Sequence, residues 1–332
     1  MSESRTIALG ENAQAIFGPL HRHVAQIQEA FRDPNAPRGA PAYRLTFDAQ
    51  GDKLIITSGP GASAADFERA KRIIEALLEL ANRKGRIREG EVLAAVAFSE
   101  GQSETSGPMH LPQLGGLTLR TPRQVHYVEA LRDENIDLIF GVGPAGTGKT
   151  FLAVAAAVEA LKQERVDRII VTRPAVEAGE KLGYLPGDLA EKVDPYLMPI
   201  WDAFRSQMSE NDLKARRERR VIEVAPLAFM RGRTLSNAFV IVDEAQNATV
   251  LQMKMTLTRL GEGSRMVVTG DPSQIDLLRP DQSGLSHAIS ILEDVPGVEV
   301  IRFATQDVVR HRLVAHIVEA YHRDEGARGG KS

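Results

Sequence analysis

A glycine-rich octapeptide at residues 143–150, with the sequence GPAGTGKT, constrains the fold of this chain more than any other segment. It matches the pattern G-x-x-x-x-G-K-[ST], which acts where a strand ends and a helix begins. An apolar run at residues 136–142 predicts the strand, and residues 149–164 carry the spacing of a helix. The glycines let successive backbone N–H groups turn inward around phosphate oxygens, beside the positive end of the helix dipole. The octapeptide therefore predicts a phosphate-binding loop in an α/β fold.

All residues of this loop are predicted to bind the nucleotide: Gly143, Pro144, Ala145, Gly146, Thr147, Gly148, Lys149 and Thr150. Lys149 is expected to reach the β- and γ-phosphates and to serve catalysis there. Thr150 is expected to place its hydroxyl on a Mg²⁺ ion that bridges those phosphates. The alternative is a glycine-rich turn without a ligand, which the strand and helix on either side disfavour. The predicted cofactors are ATP and Mg²⁺.

Two carboxylates, Asp243 and Glu244, follow a second apolar run at residues 240–242. Open α/β sheets bind ligands at the carboxyl ends of their strands. Asp243 is therefore expected to hold Mg²⁺ through water, and Glu244 to act as the general base that orients the attacking water. An isolated acidic pair would otherwise be typical of a solvated loop. A third apolar run leads into residues 269–276, where Gln274 either senses the γ-phosphate or belongs to an ordinary polar turn.

Composition excludes several classes of protein. The chain has no cysteine, so it has no disulfide, thiolate metal site or cysteine nucleophile. The first residues lack the basic and apolar segments of a signal peptide, and no run of about 18 apolar residues is long enough to span a bilayer. A formal net charge of −3 gives no global basic field, so nucleic acid would need a local patch. We therefore expect a cytoplasmic protein with no membrane partner.

The rhythm of the sequence changes near residue 120. Residues 1–105 are predicted to form a small α+β domain with a helix over 11–32, a hairpin of strands 43–47 and 53–57, and helices over 64–83 and 89–98. Residues 106–119 lack periodicity and are predicted to be a linker. Strands and helices alternate over residues 120–322, which predicts an α/β domain with a mainly parallel sheet. Residues 323–332 are predicted to be a disordered tail.

Several segments make the chain similar to the PhoH-like family of phosphate-starvation-inducible ATPases. They are the octapeptide, VDEAQN at 242–247, GDPSQ at 270–274, TPRQ at 121–124, VTRP at 171–174, GEKLGYLPG at 179–187, FMRGRT at 229–234 and DVVRH at 307–311. The resemblance covers about residues 115–322. It implies a RecA-like P-loop core, similar to the first RecA-like domain of superfamily 1 helicases, and ATP hydrolysis directed at RNA or an RNA-processing partner.

The resemblance also suggests roles for single residues. Gln124 is expected to read adenine, with an ordinary polar residue on a surface helix as the alternative. Four basic residues lie in blocks that in helicases face nucleic acid or line the site: Arg173, Lys181, Arg231 and Arg233. The alternative is that these four residues are solvated surface charges. We expect no second RecA-like domain after Tyr321, so the resemblance implies a head-to-tail ring, with a hexamer favoured. In that ring Arg310 would act in trans as a catalytic arginine finger, unless it is a helix N-terminal arginine paired with Asp307.

The N-terminal domain resembles a KH-like RNA-binding module, although His21 stands where the KH G-x-x-G loop has its second glycine. Basic clusters at residues 83–88 and 216–220 either contact phosphate or are solvated. The leading hypothesis is an ATPase that acts on single-stranded RNA or an RNA-processing protein. The rival is an ATP-dependent switch or scaffold with slow turnover, and a metabolite kinase comes third.

Overall fold

The computed structural model describes residues 3–36, 42–100, 109–174, 189–277 and 283–309, together with positions 314, 317 and 321. The chain divides into two compact units, Met1–Pro122 and Arg123–Ser332. Lys181, Arg310 and the predicted tail at residues 323–332 lie outside the described residues.

The first unit is an α+β fold around a three-stranded antiparallel sheet. Strands β1 (Ser4–Ala8), β2 (Leu45–Gln50) and β3 (Lys53–Ser58) lie in the order β1-β3-β2, which confirms the predicted hairpin and adds β1 to it. The helices are α1 (Ala13–Phe17), α2 (Arg22–Glu29), α3 (Ala64–Lys84) and α4 (Glu89–Ser99). Alternate residues of β2 and β3 are buried in one apolar core with these helices, among them Leu45, Phe47, Leu54 and Ile56.

The single helix predicted over residues 11–32 is wrong, because the chain breaks at Gly18. Gly18 has φ +68° and is followed by Pro19, and both Leu20 and His21 are also left-handed, with φ +50° and +58°. A Cβ atom at Gly18 would lie 2.5 Å from the His23 ring, so only glycine fits there. α1 and α2 therefore flank a strained loop that leaves Leu20 90% exposed.

Part of the predicted linker is folded. Residues 113–118 form a small antiparallel pair of strands, β4 (Gln113–Leu114) and β5 (Leu117–Thr118). The ammonium of Lys84 donates hydrogen bonds to Glu91 Oε1, the Gly116 carbonyl and Thr118 Oγ1 at 2.9, 3.1 and 3.2 Å. These bonds tie the pair to α3 and α4. The proposed limits 1–105 and 120–322 stay predictions about independent folding.

The second unit is an α/β domain. Its strands are β6 (Leu138–Val142), β7 (Arg168–Arg173), β8 (Ile222–Pro226), β9 (Ala238–Val242), β10 (Arg265–Gly270) and β11 (Val298–Arg302). Its helices are α5 (Pro122–Arg132), α6 (Lys149–Lys162), α7 (Leu189–Arg205), α8 (Glu210–Glu218), α9 (Val250–Leu257) and α10 (Gly284–Leu292). The strands form one parallel sheet in the order β11-β6-β10-β9-β7-β8. The predicted α/β class with a mainly parallel sheet is confirmed.

The strand order decides which loops meet. β6 and β9 are buried at every position, as expected of strands covered on both faces. β10 lies between them, pairing Gly270 with Val142 and Val268 with Val242. The chain leaves β6 for β7 on one side of it and later crosses to β11 on the other side. β6 is therefore the switch point, where open α/β sheets bind ligands. The segments that follow β6, β9 and β10 are thereby gathered at one edge.

Candidate nucleotide-binding site

The loop after β6 has the backbone of a phosphate cradle. Gly143, Gly146 and Gly148 adopt φ values of +137°, +85° and +88°, which side chains rarely tolerate. A Cβ atom at Gly143 would lie 2.3 Å from the carbonyl oxygen of Phe303, so the close approach of the segment after β11 requires glycine there. Gly148 stands at the N-cap of α6. The loop thus places its N–H groups at the start of a helix, as the sequence predicted.

The Lys149 ammonium lies over this loop. It donates hydrogen bonds to the carbonyls of Gly143 and Pro144 at 2.6 and 2.8 Å, and the side chain is buried. Burial lowers the pKa of Lys149, against the fields of Asp271, Glu244 and Asp243, which raise it. The carboxylates compensate the buried positive charge of Lys149 only in part. The site therefore favours a bound phosphate.

Asp243 is held by two threonines. Thr150 Oγ1 and Thr269 Oγ1 donate to the same oxygen, Asp243 Oδ1, at 2.6 and 2.7 Å. Thr269 comes from β10, one residue after the register pair of Val268 and Val242. Sequence reasoning did not single out Thr269, because its contact with Asp243 depends on β10 lying beside β9.

The donor set fits Mg²⁺. A hydroxyl and a carboxylate are hard oxygen ligands, and Asp243 Oδ2 takes no part in either threonine bond. The described residues contain no cluster of three or more His, Cys, Asp or Glu side chains able to hold a metal by themselves. Mg²⁺ suits such a sparse set, because it keeps several waters and takes further ligands from substrate phosphates.

Glu244 lies beside this cluster in a strained conformation. Its φ of +52° is left-handed, which is uncommon for a residue other than glycine. Gln246 Nε2 donates to Glu244 Oε2 at 2.5 Å, and Arg173 Nη2 lies 3.5 Å from Oε1. The carboxylate is therefore oriented from two sides at the carboxyl end of β9.

Gln246 links Glu244 to the loop that follows β10. Its Oε1 accepts the Asp271 N–H at 3.0 Å while its amide nitrogen holds Glu244, and the side chain is buried. Asp271 in turn accepts from Ser273 Oγ at 2.6 Å and from Gln274 Nε2 at 2.7 Å. Gln274 therefore lies at the predicted edge, but its amide faces Asp271 and its side chain is exposed. Sequence reasoning missed the link through Gln246.

Gln124 contacts the phosphate loop directly. Its Nε2 donates to the carbonyl of Thr147 at 3.0 Å, and the side chain is buried. This bond supports the loop, and the adenine-reading role stays a prediction. Val309 N–H donates to the Gly146 carbonyl at 2.9 Å. The segment before Arg310 thus crosses the same loop, whereas Arg310 itself lies outside the described residues.

The other predicted basic residues have separate surroundings. Arg233 donates both guanidinium nitrogens to Glu223 at 2.6 and 2.8 Å, away from the phosphate loop. Arg231 is exposed on the segment after β8. Arg216 pairs with Asp212 at 2.9 Å. Of these residues and Arg173, only Arg173 touches the acidic pair.

Comparisons with known proteins give consistent matches to one family. The family model described as PhoH-like protein matches residues 116–322. A PhoH-like protein of Bacillus subtilis is 48% identical over 276 residues, covering 81% of this chain and 85% of that protein. One of Mycobacterium tuberculosis is 49% identical over 288 residues, covering 85% and 80%. Protein PhoH of Escherichia coli is 41% identical over 255 residues, covering 76% and 72%.

Among solved structures, the chain aligns with the SWI2/SNF2 ATPase core of Sulfolobus solfataricus in complex with dsDNA at 16% identity and a TM-score of 0.36. The alignment covers 59% of this chain and 47% of that one. Within the described residues, no helix has the length and apolarity needed to cross a membrane.

Proposed function

The chain belongs to the PhoH-like protein family, and on this premise we propose that it is a Mg²⁺-dependent ATPase that acts on RNA or on an RNA-processing partner. The observation that carries the proposal is the pair of hydroxyl bonds to Asp243 Oδ1, which joins the phosphate loop to the carboxyl end of β9. The family gives the P-loop fold. The position of Glu244 beside Asp243, at the carboxyl end of β9, supports its proposed role as the base.

Each residue has a separate task in this proposal. Lys149 binds phosphate oxygens in the ground state, and Thr150 and Asp243 would hold Mg²⁺. The ion, when bound, supplies charge stabilisation to the phosphates. Glu244, oriented by Gln246 and Arg173, accepts a proton from the attacking water.

An exposed aromatic and basic segment favours nucleic acid as the client. Phe229 and Arg231 lie just after β8, on the same edge of the sheet as the phosphate loop, and Phe229 is 53% exposed. A base can stack on such a ring while the guanidinium meets the backbone. We propose single-stranded RNA, engaged in the cytoplasm by a ring-shaped homo-oligomer, as that client.

The test is the rate of ATP hydrolysis with and without single-stranded RNA, each in Mg²⁺ and in excess chelator. The expected results are loss of turnover in chelator and stimulation by RNA. Phe229→Ala is expected to reduce the ratio of stimulated to unstimulated rates. Ile291→Ala, another exposed apolar truncation at the far end of α10, serves as its control. Equal ratios in the two variants would contradict an RNA contact at Phe229.

The rival function is an ATP-dependent switch. Glu244 already accepts a hydrogen bond of 2.5 Å from Gln246. An enzyme whose base is held in that bond hydrolyses ATP slowly until the bond is released. A slow rate that RNA leaves unchanged, combined with an ATP-dependent change in assembly, favours the switch.

The ring proposal has its own test in Arg310. Arg310→Ala and Lys149→Ala subunits are each expected to be inactive alone. When the two are mixed, an intact loop can face an intact arginine, and activity recovers if the arginine acts in trans. Assembly and parental turnover by Arg310→Ala alone would refute the assignment.

A further inference from the structure

A polar cavity lies at the amino end of β7 and β8, at the edge of the sheet opposite to the phosphate loop. Arg168 begins β7, and Ile222 begins β8, which is the outermost strand of the described sheet. The cavity has a volume of about 560 Å³. We call it the arginine pocket, defined by Arg168, Trp201, Arg217, Arg220, Glu223 and Arg233.

The pocket has a strong excess of positive charge. Four arginines line it against one carboxylate, and that carboxylate is already satisfied by the two bonds from Arg233 at 2.6 and 2.8 Å. The hydrogen bonds from Arg233 lower the pKa of Glu223, and the fields of Arg168 and Arg220 add to them. Three guanidinium charges therefore stay uncompensated within the pocket.

Trp201 determines which part of a ligand the pocket accepts. The Arg217 guanidinium lies 4.0 Å from the centroid of the Trp201 ring, and Trp201 is only 5% exposed. A nucleobase has no free aromatic face to stack on here. The indole N–H is buried and has no acceptor among the described residues. The pocket is thus suited to a small anion and poorly suited to a base.

Arg220 is the pocket residue most available to a ligand. Its side chain is exposed and makes no hydrogen bond or ion pair with the described part of the chain. Its backbone is left-handed, with φ +57°. Arg219, next to it, is also exposed but does not line the pocket, so the two residues form a matched pair.

We propose that the arginine pocket binds a phosphate group, supplied either by the backbone of single-stranded RNA or by a free polyphosphate. Guanidinium groups present planar forks that match phosphate oxygens. The site is separate from the phosphate loop, and its occupation does not require ATP hydrolysis.

The single tryptophan of the chain provides the readout, because Trp201 lines the pocket. Its emission is titrated with oligo(U) and with tripolyphosphate over a range of salt concentrations. A saturable change is expected with at least one ligand. For RNA, one neutralised phosphate predicts a slope of log affinity against log salt of about −0.7.

Arg220→Asn removes one charge with a residue that tolerates the left-handed region. It is expected to weaken binding about threefold to fivefold. Arg219→Asn is expected to match the parent. Arg220→Gly, which meets no backbone penalty at this φ, repeats the measurement if the Asn variant loses its parental thermal unfolding.

The two ligand arms separate the sources. A change in emission with oligo(U) alone assigns the phosphate to RNA. A change with tripolyphosphate alone assigns it to a free polyphosphate. Equal affinities in the Arg220 and Arg219 variants would overturn the proposal. An emission that responds to neither ligand would also overturn the proposal, even if it changed with protein concentration through self-association.

Discussion

Two buried threonines of the parallel sheet provide a direct test of the hydrogen bond to Asp243. Thr269 at the end of β10 and Thr172 near the end of β7 are both fully buried. The Thr269 hydroxyl donates to Asp243 Oδ1 at 2.7 Å, whereas the Thr172 hydroxyl has no hydrogen-bond partner among the described residues. Valine has nearly the shape of threonine, so Thr→Val at each position replaces only the hydroxyl with a methyl group.

The two substitutions are expected to have opposite effects on the free energy of unfolding. Loss of a bond to a charged acceptor costs about 1.5–3 kcal/mol, so Thr269→Val should destabilise. Removal of an uncompensated buried hydroxyl recovers about 1 kcal/mol, so Thr172→Val should be neutral or stabilising. The extra methyl group contributes similarly at both sites and cancels in the comparison. We expect the variants to differ by at least about 1.5 kcal/mol.

Urea unfolding followed by tryptophan emission measures this difference. The only tryptophan, Trp201, lies in the second unit, so its signal reports the unfolding of that unit. The midpoints should separate while the slopes stay equal. Thr269→Val should also lower kcat for ATP, because Asp243 loses one of its two positioning hydroxyls. Equal midpoints, or a larger loss in Thr172→Val, would refute the role given to Thr269.

Three further predictions concern the nucleotide site, the domains and the response to pH. Lys149→Ala is expected to abolish nucleotide binding, whereas Glu244→Gln keeps binding and loses turnover; titration with a fluorescent ATP analogue and a steady-state assay distinguish them, and normal turnover in the Gln variant would remove Glu244 from its role. A chain that lacks residues 1–105 should remain a folded ATPase, and a soluble fragment unable to bind ATP would contradict this. Arg233→Met should destabilise by about 1 kcal/mol at pH 7. The pKa of Glu223 is lowered in the folded state, so this contribution is present above the unfolded pKa of about 4.3 and fades as pH falls further. Unfolding midpoints of parent and variant should therefore converge in acid, and a constant gap would refute the pairing.

Local pattern was sufficient for the elements whose chemistry is contained in a few neighbouring residues. The octapeptide predicted a strand, a loop and a helix, and the structure shows β6, the glycine-rich loop and α6. The same holds for Asp243 at the end of β9. In both cases an apolar run and the adjacent polar residues carry the signal without help from distant parts of the chain.

Contacts that depend on strand order could not be predicted in this way. Thr269 reaches Asp243 across 26 residues, and Gln246 reaches the Asp271 N–H across 25. Both contacts exist because β10 lies beside β9, which no local pattern reveals. β8 was missed for a different reason: it is a short edge strand whose burial does not alternate cleanly, with Glu223 at its second position.

The error at residues 11–32 shows the limit of periodicity. Ile16, Phe17, Val24 and Ile27 are all buried and fit a helical spacing, although they belong to two helices. The breaker between them, Gly18-Pro19, was the stronger signal. Apolar spacing reports which residues face a core, whereas backbone continuity is decided by the residues that cannot be helical.

The position of Lys149 connects the stability of the fold to its proposed function. Burial lowers the pKa of this side chain even though three carboxylates act to raise it, so the folded protein bears part of the cost of desolvating a cation. The carbonyls of Gly143 and Pro144 compensate only with neutral hydrogen bonds. A polyphosphate brings full negative charge to the same ammonium and offsets that cost. Nucleotide affinity at this loop therefore comes in part from relief of a penalty already present in the fold, which a lysine on an open surface could not provide.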